Sequence, residues 1–231
     1  MRRPALRAFA GVGAALLCAS VAHAANYAAM APLDQYMMDR SAEIALAKSA
    51  APPSIADKAT ILVLTRQGYE TAIKGSNGFV CMVDRSWMSQ YEFPEFWNPH
   101  MRGPQCYNPP AVRSILPYTI KRTALVLAGL SKPQIAAAIR EGVDRHILPP
   151  LEAGAMSYMM SKQGYLNDEG HNWVPHLMFY FPRADAANWG ADLPGAPPML
   201  NPQFQHSAEA ISIIMVPVKH WSDGTPAPKM Q

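Results

Sequence analysis

The sequence predicts an α+β protein: an antiparallel sheet of about six strands, opened by a three-stranded meander and packed with a central helical hairpin and an N-terminal helix. Three observations lead there. Short apolar runs with period-two alternation come in blocks and do not alternate one-for-one with helical patterns. Gly75-Ser76-Asn77-Gly78 separates two such runs, as a hairpin turn would. Prolines, 22 in all, fall in doublets (Pro52-Pro53, Pro109-Pro110, Pro149-Pro150, Pro197-Pro198), where they interrupt helices and central strands.

In chain order, residues 33–49 fit a helix with Tyr36, Met37, Ile44 and Ala47 near one face, stopped by Pro52-Pro53. Residues 59–65 form a β-branched apolar run, a central strand. Tyr69, Thr71 and Ile73 alternate with Glu70, Ala72 and Lys74. Phe79, Cys81 and Val83 alternate with Val80, Met82 and Asp84. Residues 85–112 show no periodicity but hold Trp87, Tyr91, Phe93, Phe96, Trp97 and Tyr107, so they read as a long cover loop packed on the sheet. Helices follow over 115–128 and 132–147. Gly129 suits the left-handed residue that ends the first, and Ser131 and Gln134 make a capping box for the second. Strands resume over 155–161, 176–181 and 211–216, with a short helix over 184–189. The segment 222–231 reads as a loose tail. The whole chain after the leader reads as a single domain.

The N-terminus has the three parts of an export signal. Arg2, Arg3 and Arg7 form a basic start, residues 8–21 carry no charge, and Ala22-His23-Ala24 offers small residues for cleavage after Ala24. The apolar run falls short of a membrane span. A periplasmic or secreted location is therefore expected, with no stable membrane insertion after cleavage. Leu17 before Cys18 departs from lipoprotein processing, and Pro4-Ala5 departs from the usual twin-arginine signal. Removing the three leader arginines brings the chain's 20 basic residues level with its 17 acidic ones. A near-neutral protein lacks the basic surface of a nonspecific nucleic-acid binder, so the helix-turn-helix-like spacing at Gly129-Leu130-Ser131 is read as a helical hairpin.

Several residues could carry chemistry. Beyond the leader the chain has two cysteines, Cys81 and Cys106, which suit a disulfide in an oxidising compartment. Free buried thiols, or a Cys81 nucleophile served by His176, are the alternatives. Residues 161–176 concentrate Lys162, Tyr165, Asp168, Glu169, His171, Trp173 and His176 between two apolar strands, an arrangement common at sites. Alternation along 176–181 places His176, Met178 and Tyr180 on one face, and Leu177, Phe179 and Phe181 on the other, toward the core. Candidate catalytic residues are His176, His171 and Asp168. Candidate ligand contacts are Trp97, Lys162, Tyr165, Trp173, His176 and Tyr180. A metal held by His171, His176 and a carboxylate is a further reading, but no diagnostic ligand spacing is present and no metal is expected. The 14 methionines could fill a core or, in clusters, take Cu(I). There is no Gly-x-Ser-x-Gly elbow, phosphate loop or dinucleotide fingerprint, and no cofactor is expected.

Asn77-Gly78-Phe79-Val80-Cys81, Phe96-Trp97-Asn98-Pro99, the run from Tyr158 to Leu166, Pro175-His176-Leu177-Met178-Phe179, Trp189-Gly190-Ala191 and the run from His220 to Thr225 resemble a group of uncharacterised exported bacterial proteins. The resemblance implies export and a shared fold, and no chemistry. The leading expectation is an exported protein that binds a small ligand between the sheet, residues 85–112 and residues 162–176. The rivals are a hydrolase-like enzyme with a histidine general base and a non-catalytic structural or interaction protein.

Overall fold

The computed structural model describes residues 27–182, 186–201, 208–209 and 211–228. The leader expected over 1–24 lies outside them. A 3-10 turn, Leu33–Tyr36, precedes α1, Arg40–Lys48. The helix starts later than its apolar pattern suggests because Asp39 caps it, its carboxylate accepting from the amides of Ser41 and Ala42. After α2, Pro53–Ala56, come β1 (Thr60–Thr65), β2 (Gly68–Ile73) and β3 (Val80–Asp84). A 3-10 turn at Ser86–Met88 is followed by β4 (Gly103–Tyr107), α3 (Pro109–Ser114), α4 (Leu116–Leu127) and α5 (Lys132–Asp144). The chain closes with β5 (Met156–Met159), β6 (His176–Pro182), a 3-10 turn (Ala186–Trp189), β7 (Met199–Leu200) and β8 (Ile211–Pro217).

The strands form one mixed, mostly antiparallel sheet of eight in the order β2-β1-β3-β4-β5-β6-β8-β7, with the five helices packed against it. The expected α+β class holds, and the six-strand count gives way to eight. The meander is a correction: β3 does not pair with β2 but runs parallel to β1 on its far side, Thr60 opposite Val80 and Ile61 opposite Cys81. Burial explains the order. All five residues of β3 are buried, so it belongs inside the sheet, whereas β2 carries exposed Glu70 and Thr71 and suits an edge. Residues 75–78 are therefore a crossing beneath the start of β1. The amides of Ser76 and Asn77 bond the Lys58 carbonyl, and a Cβ at Gly75 would sit 2.3 Å from the Ala59 backbone. Only glycine can pass there.

Residues 103–107 are a second correction, a buried strand where a cover loop was expected. Proline is rare inside a sheet, but β5 pairs only with Cys106 and Tyr107, so Pro104 lies beyond that ladder. Phe96 and Trp97, by contrast, pack down as expected, in a core cluster with Tyr36, Trp87 and Tyr118. Gly129, at φ +80°, ends α4, and the Gln134 carboxamide accepts from both the amide and hydroxyl of Ser131 at the start of α5. The tail over 222–228 is tied down, not loose: the Ser222 amide bonds the Met160 carbonyl and Lys162 pairs with Asp223 at 2.8 Å.

Two face-specific cores flank the sheet. Ile61, Cys81, Val83 and Cys106 meet Ala47 of α1, while Val80, Met82, Tyr107, Tyr180 and Ile213 meet Ala111 of α3 and Leu116 of α4. Cys81 and Cys106, register partners on β3 and β4, form a disulfide with S–S 2.04 Å. Their sequence separation of 25 makes this cross-link worth about 3.5 kcal/mol in the chain-entropy description. Across the first core a buried ion pair joins helix to sheet. Arg85 Nη2 meets Glu43 Oε1 at 2.9 Å, Arg85 Nε donates to the Tyr36 carbonyl, and the same glutamate oxygen accepts from the Leu64 amide.

Candidate functional site

The second sheet face is built in rows. Met82 and Asp84 of β3 stand opposite Gln105 and Gly103 of β4. Tyr107 stands opposite Ser157, Ser157 opposite Met178, and Met178 opposite Met215. Cross-strand partners share a face, so Asp84, Gln105, Tyr107, Met178, Tyr180 and Met215 look the same way. Against them lies a cavity of about 340 Å³. Tyr118, Thr119 and Arg122 of α4 bound it, together with Met88, Phe93, Met101, Leu166 and Trp173 from the connecting segments. Its wall is mainly apolar, with five methionines: Met88, Met101, Met159, Met178 and Met215.

A few polar groups interrupt that wall. Gln105 Nε2 donates to Ser157 Oγ at 2.8 Å and to the Tyr180 hydroxyl at 2.5 Å. The Tyr107 hydroxyl lies 3.3 Å from Thr119 Oγ1. Arg122, 2% exposed, donates to the Ser89 carbonyl and the Tyr91 hydroxyl and pairs with Glu209 at 3.3 Å. Asp84 is the exception to this satisfaction. Among the described residues its Oδ1 has no hydrogen-bond partner, as is also true of Glu209 Oε2. An unmade hydrogen bond at a buried oxygen is costly. Burial pushes the Asp84 carboxyl up to about 7, against the opposing pull of Arg85, a hydrogen bond from Tyr107, and Arg122.

The expected site residues divide into three places. Trp173, His176 and Tyr180 line the cavity. Their face, with His176 3% and Tyr180 5% exposed, is more buried than the face of Leu177 and Phe179, which corrects the expected core side of β6. His176 Nδ1 lies 2.8 Å from the Val174 carbonyl, so Nδ1 carries the proton and Nε2 is the acceptor. Burial holds this imidazole down at about 4, outweighing that carbonyl. Its ring lies 4.6 Å from Trp173.

Tyr165, Asp168 and His171 gather outside the cavity. Asp168 accepts from the Tyr27 and Tyr165 hydroxyls and from Asn98 Nδ2, and its amide donates to Glu95. Burial raises the Asp168 carboxyl, but these donors outweigh it and hold the group below the ordinary range. His171, exposed and at φ 57°, lies 5.1 Å from the Tyr165 ring. Trp97 is buried edge-on to Phe96, and Lys162 borders a separate cleft of about 370 Å³ beside Asp223. Neither lines the cavity against α4. Among the described residues no three His, Cys, Asp or Glu side chains could hold a metal ion. The disulfide also removes Cys81 as a nucleophile.

Sequence reasoning passed over Asp84, Gln105, Thr119, Arg122 and Glu209. One signal was present for Asp84: alternation places it on the face of Met82, at the end of an otherwise apolar strand. Gln105 and Arg122 gave none, because one lies in a strand masked by Pro104 and the other looks like an ordinary surface position of a helix. No family model, curated protein or solved structure matches the chain.

Proposed function

We propose that this is an exported protein that binds one small amphiphilic molecule in the cavity between the sheet and α4. The observation that carries the reading is the Asp84 carboxyl, with an unpartnered oxygen in the wall of a mainly apolar space. A folded chain tolerates such a group where a ligand completes its hydrogen bonding. The cavity volume lies at the lower end of the range for small-molecule sites, about 300–1,000 Å³. The buried disulfide and the leader-like N-terminus support export.

The histidine-hydrolase reading receives less support. The His176 Nδ1 partner is a peptide carbonyl, not a carboxylate. An imidazole held at about 4 is also a weak base near neutral pH.

Trp173 supplies the reporter. Titration with 2-phenylethanol should change its fluorescence saturably, and Trp173→Phe should remove the change while the protein stays folded. A linear, nonsaturating response overturns the binding reading. For export, the native chain should begin within a few residues of Ala25; retention of Met1 would overturn that part.

A further inference from the structure

The cavity has acceptors to spare and its strongest donors are already engaged. Among the described residues four charged side chains border it: Asp84, Arg85, Arg122 and Glu209. Each guanidinium is committed. Arg85 donates to the Tyr36 carbonyl, the Val83 carbonyl and Glu43. Arg122 donates to the Tyr91 hydroxyl and the Ser89 carbonyl and pairs with Glu209. Gln105 spends its amide group on Ser157 and Tyr180. Among the described residues, pairing Glu43 with Arg85 and Glu209 with Arg122 leaves Asp84 as the one cavity carboxyl without its own cation. The two orphan oxygens, Asp84 Oδ1 and Glu209 Oε2, can only accept once ionised.

From this excess we propose that the ligand is a small organic amine, bound as its monocation, with the ammonium on the Asp84 carboxylate and an apolar body among the methionines. The assignment rests on the cavity-binding reading above and names its ligand class. An ammonium brings three donors and the missing positive charge, and its hydrogen bond to a carboxylate is of the strong, charge-assisted kind. A carboxylate or phosphate ligand would instead face two like-charged oxygens. The five methionines offer a deformable, polarizable wall suited to an aromatic or alkyl body.

Proton linkage follows from the same arrangement. The free Asp84 carboxyl, raised to about 7, must be ionised to hold an ammonium. The groups coupled to it are Arg85, Arg122, Tyr107, Tyr69 and Tyr180. Burial holds the three tyrosines protonated through this range. His176, on the same wall, titrates lower, at about 4. Amine affinity should therefore fall about tenfold for each pH unit below 7, as one-proton linkage requires.

The test compares three probes of nearly equal size by calorimetric titration at pH 8 and pH 5.5: 2-phenylethylamine, 2-phenylethanol and phenylacetate. At pH 8 the amine should bind at least about tenfold more tightly than the alcohol, and phenylacetate most weakly. The amine's advantage should shrink at pH 5.5 and vanish in Asp84→Asn. Alcohol binding, which loses at most one neutral hydrogen bond, should change much less than amine binding with pH and with the substitution, and a cooperative urea transition establishes that the variant is folded. If the alcohol binds as tightly as the amine at pH 8, or the preference survives in Asp84→Asn, the amine assignment is wrong while the cavity reading stands. If none of the three binds, both are wrong.

Discussion

Asp84 and His176 share a cavity wall but respond to pH in opposite directions. The Asp84 carboxyl rises from 3.8 to about 7 on folding. Between those values the folded state holds more protons than the unfolded one, so Asp84's contribution improves as pH falls and is worst above pH 7. His176 falls from 6.5 to about 4. Here the unfolded state holds more protons, so its contribution is intact above 6.5 and is lost as pH falls toward 4. Asp84→Asn should therefore stabilise the protein at pH 8, by up to about 4 kcal/mol, and do little at pH 4. The variant should also lose stability more steeply than the parent between pH 6.5 and 4, because the opposing Asp84 effect is gone. Urea denaturation across this range checks both slopes, and a variant less stable than its parent at pH 8 would contradict the assignment. At this scale period-two alternation was enough to assign the facing of Asp84, His176 and Tyr180. It could not show which face was deeper, because α4, which covers the inner one, is brought there only by the fold.

Among the elements, α1 is held by charge as much as by its alanines. Glu43 and Arg85 are 1% and 0% exposed and satisfy three backbone groups besides each other. Truncating one partner leaves the other charged, buried and unpaired, which costs about 3–5 kcal/mol. Glu43→Ala should lower the unfolding free energy by that amount. Asp34→Ala, which breaks the exposed pair with Arg66, should cost under about 1 kcal/mol. Equal effects from the two substitutions in chemical denaturation would contradict a structural role for the buried pair. Glu43 was invisible beforehand because a carboxylate in an alanine-rich helix ordinarily faces water. The strands over 60–65, 68–73, 80–84, 176–182 and 211–217 were legible from apolar periodicity. Their connection was less so: Gly75-Ser76-Asn77-Gly78 has the composition of a tight turn, but its glycine serves close passage beneath β1. β4 was hidden by Pro104, and β7, at two residues, is too short to carry a period.

The whole molecule is a three-layer arrangement, with α1 and α2 on one sheet face and α3 and α4 on the other. Its first interface is closed by small alanines and the disulfide. The second holds bulky side chains that leave a space between them, lined by five of the chain's 14 methionines. That distribution offers a direct test. With methionine methyl groups labelled with carbon-13, 2-phenylethylamine can be titrated while each methyl resonance is followed. Binding in the cavity predicts saturable shifts at Met88, Met101, Met159, Met178 and Met215, with Met37 and Met38 beside α1 unmoved. Shifts confined to the outer methionines, or absent at concentrations that saturate the calorimetric signal, would contradict the claim that this cavity is the binding site.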